Sequence, residues 1–508
     1  MSENLTYSLT GVATITSAAI LGLLTLKYND RAIFTERRDN IHSASGLPLF
    51  GIMFEQIAKK ERFLDFFIEK MNETDNMTMY ASSLGLPPKI MTIDPRNVEH
   101  VLKDNFSNYV KSKRSTDLLN DLFGHGIFAA NGKQWYYQRK TASVIFNTNN
   151  FRNFFTVFVK ELNVMSERII DKAIERGEVI DFQSMIYKFT LETFVYLGFG
   201  KQLNALYNNV TVPFATSFDA CQANCFQRLV SPIGRLREAL SPILHPGEMT
   251  AKEHIQVIDD FAYNLIQERK VQLAQGHKYK DLLSQFMAAR NPEGKELGDT
   301  ELRDAVLNFI IAGRDTTAQT LTWTIYYLIM HPRVEAKLVS EIEKYISDEI
   351  EQDPPALYEM IKKMVYSHAV FYEVLRLEPV VPNSSKEALE DDVLPDGTHV
   401  YKGDQINWSS YAMGRSKKIW GNDAESFYPE RWIQDGHLRR ESPSKWPAFH
   451  GGPRICLGQN LATLEGLVAL IILLKRYKFS LVSNQEVVYT MSLTHPIKNG
   501  LKVFVEKR

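Results

Sequence analysis

Cys456 lies in a short loop whose residue types suit a thiolate ligand. The loop, FHGGPRICLG over residues 449–458, places two glycines and a proline ahead of the cysteine, and the apolar run from Gln459 onward predicts a helix. The cysteine would stand at a helix N-terminus, where free N–H groups and the helix dipole favour its ionised form. Gly458 leaves room for a flat cofactor to approach, and Arg454 offers a positive charge suited to a carboxylate.

The segment FIIAGRDTTAQTLTW, residues 309–323, places an acid and an alcohol inside a predicted helix from about 300 to 330. Glycine, aspartate and threonine disfavour a helix interior, so Gly313, Asp315 and Thr316 break a local rule there. Such breaks often mark functional sites. A threonine hydroxyl that bonds the carbonyl one turn earlier can open a groove able to hold O₂ and a water. A kinked core helix is the alternative interpretation of this segment taken alone.

Two further pairs of residues have the spacing of one helix face. Glu373 and Arg376 stand three apart in the segment FYEVLRLEP, and Trp135 and Arg139 stand four apart in WYYQR. Side chains at these spacings project from the same side of a helix. Taken alone, the first pair predicts a surface ion pair, and the second predicts a solvated basic face that Lys140 extends.

These segments, in this order, resemble the cytochrome P-450 superfamily. The haem-binding loop of that superfamily is matched at every fixed position, namely Phe449, Gly452, Arg454, Cys456 and Gly458. The oxygen-activation motif, Ala/Gly-Gly-x-Asp/Glu-Thr-Thr, is matched by Ala312, Gly313, Asp315, Thr316 and Thr317. The resemblance implies the P-450 fold, which is mainly α with small β-sheets, and haem b (iron protoporphyrin IX) as the cofactor.

The resemblance also implies roles for individual residues. Cys456 would be the axial ligand of the haem iron, and a thiolate ligand favours O–O cleavage. Asp315 would relay protons as a general acid, and Thr316 would stabilise the oxygen-derived ligand of the iron. Other residues would bind haem or support its pocket: Trp135, Arg139, Arg454 and Lys386 at the propionates, Phe449, Gly458 and Ala312 as further haem contacts, and Glu373, Arg376 and Arg431 as structural support. Lys386 and Trp432 depart from the family pattern, which usually has Arg and Phe there.

The activity that the resemblance implies is monooxygenation. One atom of O₂ would enter an unactivated C–H bond of a lipophilic substrate. Electrons would come from NADPH through a membrane flavoprotein reductase, with cytochrome b5 as a further candidate partner. Segments such as LNFIIAGRDTTAQTLTW resemble the sequences of fungal and plant branches that hydroxylate fatty acids and alkanes. Similar fungal enzymes hydroxylate steroids.

Two other functions are compatible with a haem-thiolate site. One is an isomerase or dehydratase that rearranges a lipid peroxide without external electrons. The other is a haem protein without catalytic activity that senses gas or stores haem. The Asp315–Thr316 pair argues against the first, because rearranging a peroxide needs no proton delivery to bound dioxygen.

The amino terminus predicts a membrane anchor. No charged residue occurs from Asn4 to Leu26, whereas Lys27 and Arg31 follow directly. A run of this length is about long enough to cross a bilayer as one helix. The positive charge after it places the body in the cytosol, as in a single-pass protein of the endoplasmic reticulum membrane. Amphipathic attachment and a buried core helix are the alternatives. We expect an anchor at residues 1–30, a hinge at 31–51 and one haem-thiolate domain at 52–508.

The elements that must position these residues are mostly helices. Apolar residues spaced three and four apart predict long helices near 152–176, 250–275 and 300–330, and another near 458–476. Short strands are expected as a hairpin within 76–93, again within 384–410, and at the end of the chain. The net charge of -1 does not point to nucleic acid, and three cysteines are too few for a disulfide framework. No phosphate-binding or dinucleotide fingerprint occurs, so any electrons that the reaction needs must come from another protein.

Overall fold

Helices make up most of the structure, a computed structural model that describes residues 2–146, 148–231 and 233–508. The helices within these residues are α1 Ser2–Lys27, α2 Met53–Ala58, α3 Phe63–Met71, α4 Pro95–Glu99, α5 Lys113–Phe123, α6 Gly132–Ser143, α7 Thr148–Met165, α8 Asp171–Arg176, α9 Phe182–Phe199, α10 Pro213–Val230, α11 Gly234–Leu244, α12 Ala251–Ala274, α13 Leu282–Ala288, α14 Asp299–Met330, α15 Pro332–Tyr345, α16 Asp348–Gln352, α17 Pro354–Ile361, α18 Val365–Leu377, α19 Ser410–Arg415, α20 Lys417–Trp420 and α21 Gln459–Arg476. A π-helical turn, Ser166–Ile170, joins α7 to α8.

The strands are short and form four small sheets in the described residues. They are β1 Thr78–Ser83, β2 Leu86–Thr92, β3 Tyr109–Val110, β4 Ile180–Asp181, β5 Asn383–Ala388, β6 Asp392–Val393, β7 His399–Val400, β8 Gln405–Ser409, β9 Ile433–Gln434, β10 His437–Leu438, β11 Tyr477–Leu481 and β12 Lys502–Lys507. The largest sheet has the order β1-β2-β8-β5-β3, in which β2 and β8 are parallel. In a second sheet, β11-β12-β4, the carboxyl-terminal strand β12 pairs with β4 from the middle of the chain.

Helix α14 forms the centre of the helical body, packed against α9, α12, α18 and α21. Its first turn is stabilised where Glu301 accepts a hydrogen bond from the Gly298 N–H at 3.0 Å, because acidic groups favour a helix N-terminus. Thr320, Thr322 and Thr324 are buried, and each hydroxyl donates to the carbonyl four residues earlier at 2.7 to 2.8 Å. This internal bonding lets a threonine-rich helix enter the core without unpaired hydroxyls.

The amino-terminal segment forms helix α1, whose apolar residues such as Ile15 and Leu26 are exposed. Among the helices of the described residues, none is long and hydrophobic enough to cross a membrane. The spanning anchor expected at residues 1–30 stays a prediction. The segment expected as a hinge at 31–51 lies along β1, where the Ala44 N–H donates to the Tyr80 carbonyl at 2.8 Å.

Candidate active site

The Cys456 loop lies between β10 and α21 and follows a tight backbone path. Its ends meet where the Cys456 N–H donates to the Phe449 carbonyl at 2.9 Å. His450 has a φ of 61° and Gly452 a φ of 60°, conformations that L side chains rarely adopt. A Cβ on Gly452 would lie 1.8 Å from the Leu102 carbonyl oxygen, so only glycine fits there. Of the two glycines predicted to make an unusual loop, Gly452 therefore permits the close backbone contact.

The Cys456 side chain is exposed, yet burial by the surrounding protein raises the pKa of its thiol. The sulfur thus faces a space that water can reach but that protein encloses. The Gly458 and Gln459 N–H groups at the start of α21, together with the charge of Arg139, lower the same pKa. These donors are the ones expected of a cysteine at a helix N-terminus. By contrast, burial raises the pKa of Cys221 and of Cys225 to about 12, so those thiols are unreactive.

A cluster of basic side chains lies beside the Cys456 loop, and no carboxylate pairs with it in the described residues. Strand β3 pairs with β5, so Lys111 comes next to Lys386. Burial, followed by repulsion from Lys111 and Arg454, lowers the pKa of Lys386 to about 6. Burial and Arg454 lower the pKa of Lys111 to about 8, and burial and Arg139 lower that of Arg454 to about 10. Desolvation and the nearby cations lower the pKa of His450 to about 3.

Two donor atoms in this basic cluster have no hydrogen-bond partner within the described part of the chain. They are Lys386 Nζ, on a side chain that is 1% exposed, and Arg454 Nε. The Arg454 guanidinium instead bonds the Ala130 carbonyl at 2.8 Å and lies 4.5 Å from the Trp135 ring. Arg139 lies 5.9 Å from the same ring. Buried cations without partners are costly, so the cluster is built for an anionic ligand.

Helix α14 carries the predicted acid and alcohol in one hydrogen-bonded stretch. The Thr316 hydroxyl donates to the Ala312 carbonyl at 2.7 Å, which is the bond one turn back that its position suggested. Burial raises the pKa of Asp315 to about 6, against the neighbouring Arg314 charge, which lowers it. The helix is continuous through Gly313, where an added Cβ would lie 1.8 Å from the Phe194 ring. Gly313 therefore permits close packing of α9 on α14.

Glu373, which has no exposed surface, is the centre of a polar cluster that joins α18 to the segment after α20. Arg376 bonds its carboxylate through two nitrogens at 2.7 and 2.8 Å, and Arg431 Nε does so at 2.9 Å. Trp432 Nε1 and the Tyr428 N–H complete the set at 2.9 and 2.8 Å. The Arg376 guanidinium also reaches the carbonyls of Ala424 and Ser426 at 2.5 and 2.9 Å. The structure thus brings together the three residues predicted to act as support and adds Trp432.

The donor set around Cys456 fits haem b. One thiol faces the enclosed space, and the basic cluster offers unpaired donors for the two propionates. Gly458 leaves the sulfur accessible, since a Cβ there would lie 4.0 Å from Cys456 Sγ. When bound, haem supplies the iron at which dioxygen is reduced and split. Fold and site together are those of a mainly helical protein whose residues fit a haem beside a cysteine.

Comparison with known proteins gives the same class. The cytochrome P450 family pattern matches residues 42–503. Cytochrome P450 704B1 of Arabidopsis thaliana is 36% identical over 91% of this chain and 94% of its own length. Cytochrome P450 86B1 of the same plant is 38% identical over 81% of this chain and 76% of its own length. Cytochrome P450 monooxygenase cyp1 of Mycosarcoma maydis is 32% identical over 94% of this chain and 77% of its own length. The chain therefore belongs to the cytochrome P450 family of haem-dependent monooxygenases.

Three site residues are not predicted by the sequence motifs. Lys111 reaches the basic cluster only through the β3–β5 pairing, and nothing local to it signals that position. His450 lies inside the recognised loop but has no fixed identity in the pattern. Asn131, at the start of α6, bonds the Lys111 backbone in both directions at 2.9 and 3.0 Å and accepts from Arg454 at 3.2 Å. It therefore ties the helix that carries Trp135 to two cations of the cluster.

Proposed function

We propose that this protein inserts one atom of O₂ into an unactivated C–H bond of a lipophilic substrate of the fatty-acid, alkane or steroid type. Cys456 serves as the axial ligand of the haem iron in this proposal. Electrons come from NADPH through a flavoprotein reductase, with cytochrome b5 as a second candidate donor. The observation that carries the proposal is the accessible Cys456 thiol beside a cluster of unpaired, buried cations.

The residues assigned to haem divide by chemistry. Arg139, Arg454 and Lys386 neutralise and orient the propionates, and Lys111 adds a further positive charge. The ring N–H of Trp135 donates a hydrogen bond to a propionate. Phe449, Gly458 and Ala312 contact the ring, and Glu373, Arg376 and Arg431 hold the surrounding backbone. Opposite charge within a few ångströms of each propionate favours its ionised form and fixes the register of the ring.

The α14 network supports oxygen activation over peroxide rearrangement. A general acid is required where protons must reach reduced dioxygen, and Asp315 is a buried carboxyl with a pKa of about 6, beside the Thr316 hydroxyl. An isomerase or dehydratase that uses a ready-made peroxide has no need of this pair. In this proposal the Thr316 hydroxyl binds and orients the reduced dioxygen, and the Asp315 carboxyl transfers the proton to it.

The decisive measurement for the ligand is the carbon monoxide difference spectrum of the reduced protein. A strongly red-shifted Soret band is expected for wild type and for Cys225→Ala, which removes a buried thiol of α10. The band is expected to disappear in Cys456→Ala. A wild type that binds haem but lacks the band would remove Cys456 as the ligand, and the proposed function with it.

The reaction is tested by product formation from a panel of fatty acids, alkanes and steroids. NADPH, O₂ and added reductase should all be required for a hydroxylated product. Conversion of a lipid hydroperoxide without NADPH or reductase, and no product with them, would favour the isomerase instead. Asp315→Asn should lower the yield of product per NADPH in the first case and leave peroxide rearrangement unchanged in the second.

Membrane attachment through α1 forms part of the same proposal. Its exposed apolar side chains suit a lipid environment, and a lipophilic substrate would be reached from the endoplasmic reticulum membrane. Deleting residues 1–30 should release the protein from microsomes while the carbon monoxide spectrum stays normal. Retention of the deleted form on membranes would assign attachment to another surface.

A further inference from the structure

A large cavity lies outside the haem site. It has a volume of about 830 Å³ and lies between α3, the carboxyl end of α14, α19 and the segment 486–491. Among the described residues, none that is assigned to haem or to oxygen activation lines this cavity. Ligand pockets in proteins enclose roughly 300 to 1,000 Å³, so the cavity can hold a second small molecule.

Aromatic side chains form one wall of the cavity. Trp323, Tyr326 and Tyr327 occupy adjacent turns of α14, Tyr411 lies on α19, and Tyr489 belongs to the segment 486–491. The ring centroids of Tyr411 and Tyr489 are 6.0 Å apart. Because aromatic rings supply a large apolar area, this aromatic wall suits the hydrocarbon part of a ligand.

One buried carboxylate, that of Glu378, holds the aromatic wall in place. It accepts hydrogen bonds from the Tyr327 hydroxyl at 2.8 Å and from Arg415 at 2.6 Å, and it bonds His495 Nε2 at 2.7 Å. The His495 ring in turn stacks on Trp323, with 5.4 Å between the ring centroids. Three separate elements are thereby joined, so the wall is organised in advance for binding. The charge of Arg415 also balances that of Glu378, which therefore does not repel an anion.

Positive charge exceeds negative charge among the unpaired groups of the cavity. Ion pairs neutralise two of its basic side chains, Arg62 with Asp65 at 3.1 Å and Lys498 with Glu61 at 3.1 Å. Lys60 and Arg237 also line the cavity, and neither forms an ion pair within the described residues. Glu486 is the one lining acid that lacks an ion pair in the same part of the chain. Two unpaired cations against one unpaired acid favour a ligand with an anionic head group.

We propose that this cavity is a second binding site, separate from the haem site, for an amphiphilic carboxylate. The carboxylate pairs with Lys60 and Arg237, which come from the turn before α3 and from α11. The hydrocarbon chain lies along the aromatic wall. An uncharged lipid of equal length keeps the contacts with the wall but lacks both ion pairs, so it binds more weakly.

The segment 489–495 connects this cavity to the haem side of α14. Tyr489 lines the cavity at one end of the segment, whereas Leu493 packs against the apolar cluster that contains Phe309. Gln319, one turn after Thr316, donates to Thr494 Oγ1 at 2.7 Å and accepts from the His495 N–H at 2.7 Å. A ligand in the cavity contacts one end of a segment whose other end bonds α14. Occupation of the cavity therefore changes the affinity of the haem site for its own ligands, and the reverse holds by the same factor.

Binding is tested on the full-length holoenzyme saturated with an azole that ligates the haem iron, so that the haem pocket is filled. Equilibrium dialysis should show one labelled dodecanoate bound per chain, and 1-dodecanol should bind several-fold more weakly. Arg237→Gln and Lys60→Gln should each weaken dodecanoate binding several-fold. The matched control is Arg235→Gln, which removes an exposed cation of α11 that does not line the cavity. No dodecanoate bound beside the azole, or equal affinity in all three variants, would overturn the site.

The coupling is tested by the Kd of the azole, read from the Soret band at rising dodecanoate concentration. In wild type this Kd should change several-fold and then reach a limit, because the two ligands occupy different sites. In Gln319→Leu the azole Kd should stay constant while dodecanoate still binds. A Kd that rises in proportion to dodecanoate without limit would mean competition at the haem, and would overturn the site.

An azole Kd that dodecanoate leaves unchanged in wild type would overturn the coupling. A wild type that forms no NADPH-dependent product would overturn the proposed function alone. Both binding measurements still decide the inference in that case, since neither needs turnover.

Discussion

The indole Nε1 of Trp432 donates to Glu373 Oε2 at 2.9 Å, and Arg376 and Arg431 donate to the same carboxylate. The family pattern usually has phenylalanine at this position, and phenylalanine has no donor. In this chain the tryptophan therefore adds a third side chain that donates a hydrogen bond to Glu373. A carboxylate with no exposed surface is held by five donors, which is the condition for burying its charge.

Trp432→Phe should lower the free energy of unfolding by about 2 kcal/mol, because a hydrogen bond to a buried charge is lost. The matched control is Trp446→Phe. The two rings pack 4.8 Å apart, but the buried Trp446 Nε1 has no hydrogen-bond partner within the described residues. Denaturant unfolding of both variants measures the difference. Equal losses would show that the Trp432 hydrogen bond contributes nothing beyond packing.

Gly313→Ala should destabilise the protein by about 1 to 3 kcal/mol, because the new methyl group would overlap the Phe194 ring of α9. Gly198→Ala, on α9 beside the same ring, is the control, since a Cβ there meets Phe194 at 3.4 Å. Phe194→Leu combined with Gly313→Ala should recover part of the loss. Thermal unfolding of the three variants checks this, and an additive double variant would contradict the packing explanation.

The sequence predicts the local parts of this site well. The Cys456 loop is ten consecutive residues, and its chemistry follows from their types alone. The helices expected near 250–275, 300–330 and 458–476 are found as α12, α14 and α21, and the expected hairpin is β1 and β2. Helical periodicity is strong in these three elements, so their bounds differ from expectation by at most one residue, whereas the helix expected near 152–176 is divided into α7, a π-helical turn and α8.

Contacts between distant segments are not predictable from the same patterns. Arg314 and Asp219 are 95 residues apart, and only the crossing of α10 over α14 joins them. Lys111 joins Lys386 through a strand of two residues, too short to show a period. Gly313 looks like a break made for catalysis, whereas a ring from α9 accounts for it. Each of these contacts depends on tertiary packing, which the hydrophobic periodicity of a single sequence does not reveal.

Lys386→Met should stabilise the haem-free protein near pH 7 and weaken haem binding several-fold. Its folded pKa of about 6 lies below that of an unfolded lysine. The unfolded chain therefore binds more protons between about pH 6 and 10, and the stability of the haem-free protein should rise with pH across that range. Methionine removes this dependence and also removes the charge that faces a propionate.

Lys363→Met is the control for this variant, because Lys363 is exposed on the surface. Unfolding of haem-free protein at pH 6, 8 and 10, together with the rate of haem transfer to an acceptor globin, measures both effects. A Lys386→Met protein that keeps haem as firmly as wild type would remove this lysine from the propionate site.

Glu465→Gln should stabilise the protein at pH 8 and leave it unchanged at pH 4. Glu465 lies on α21, accepts from Thr193 of α9 at 2.7 Å and also bonds Thr317 of α14. Burial raises its pKa to about 7, above the unfolded value near 4.3. The folded state thus binds the extra proton between these values, so its contribution to stability is complete at low pH and is lost as pH rises through 7.

Glutamine keeps the acceptor for Thr193 without a charge, so the loss of stability between pH 5 and 8 should become smaller. Glu430→Gln is the control, and it should change the stability at neutral pH in the opposite direction. Burial opposes the shift there, but hydrogen bonds from Arg333 and Lys337 lower the pKa of Glu430 to about 2, so its charge stabilises the fold at neutral pH. Denaturant unfolding across this pH range compares the two. A Glu465→Gln curve parallel to that of wild type would mean that Glu465 is already ionised in the folded protein at pH 5.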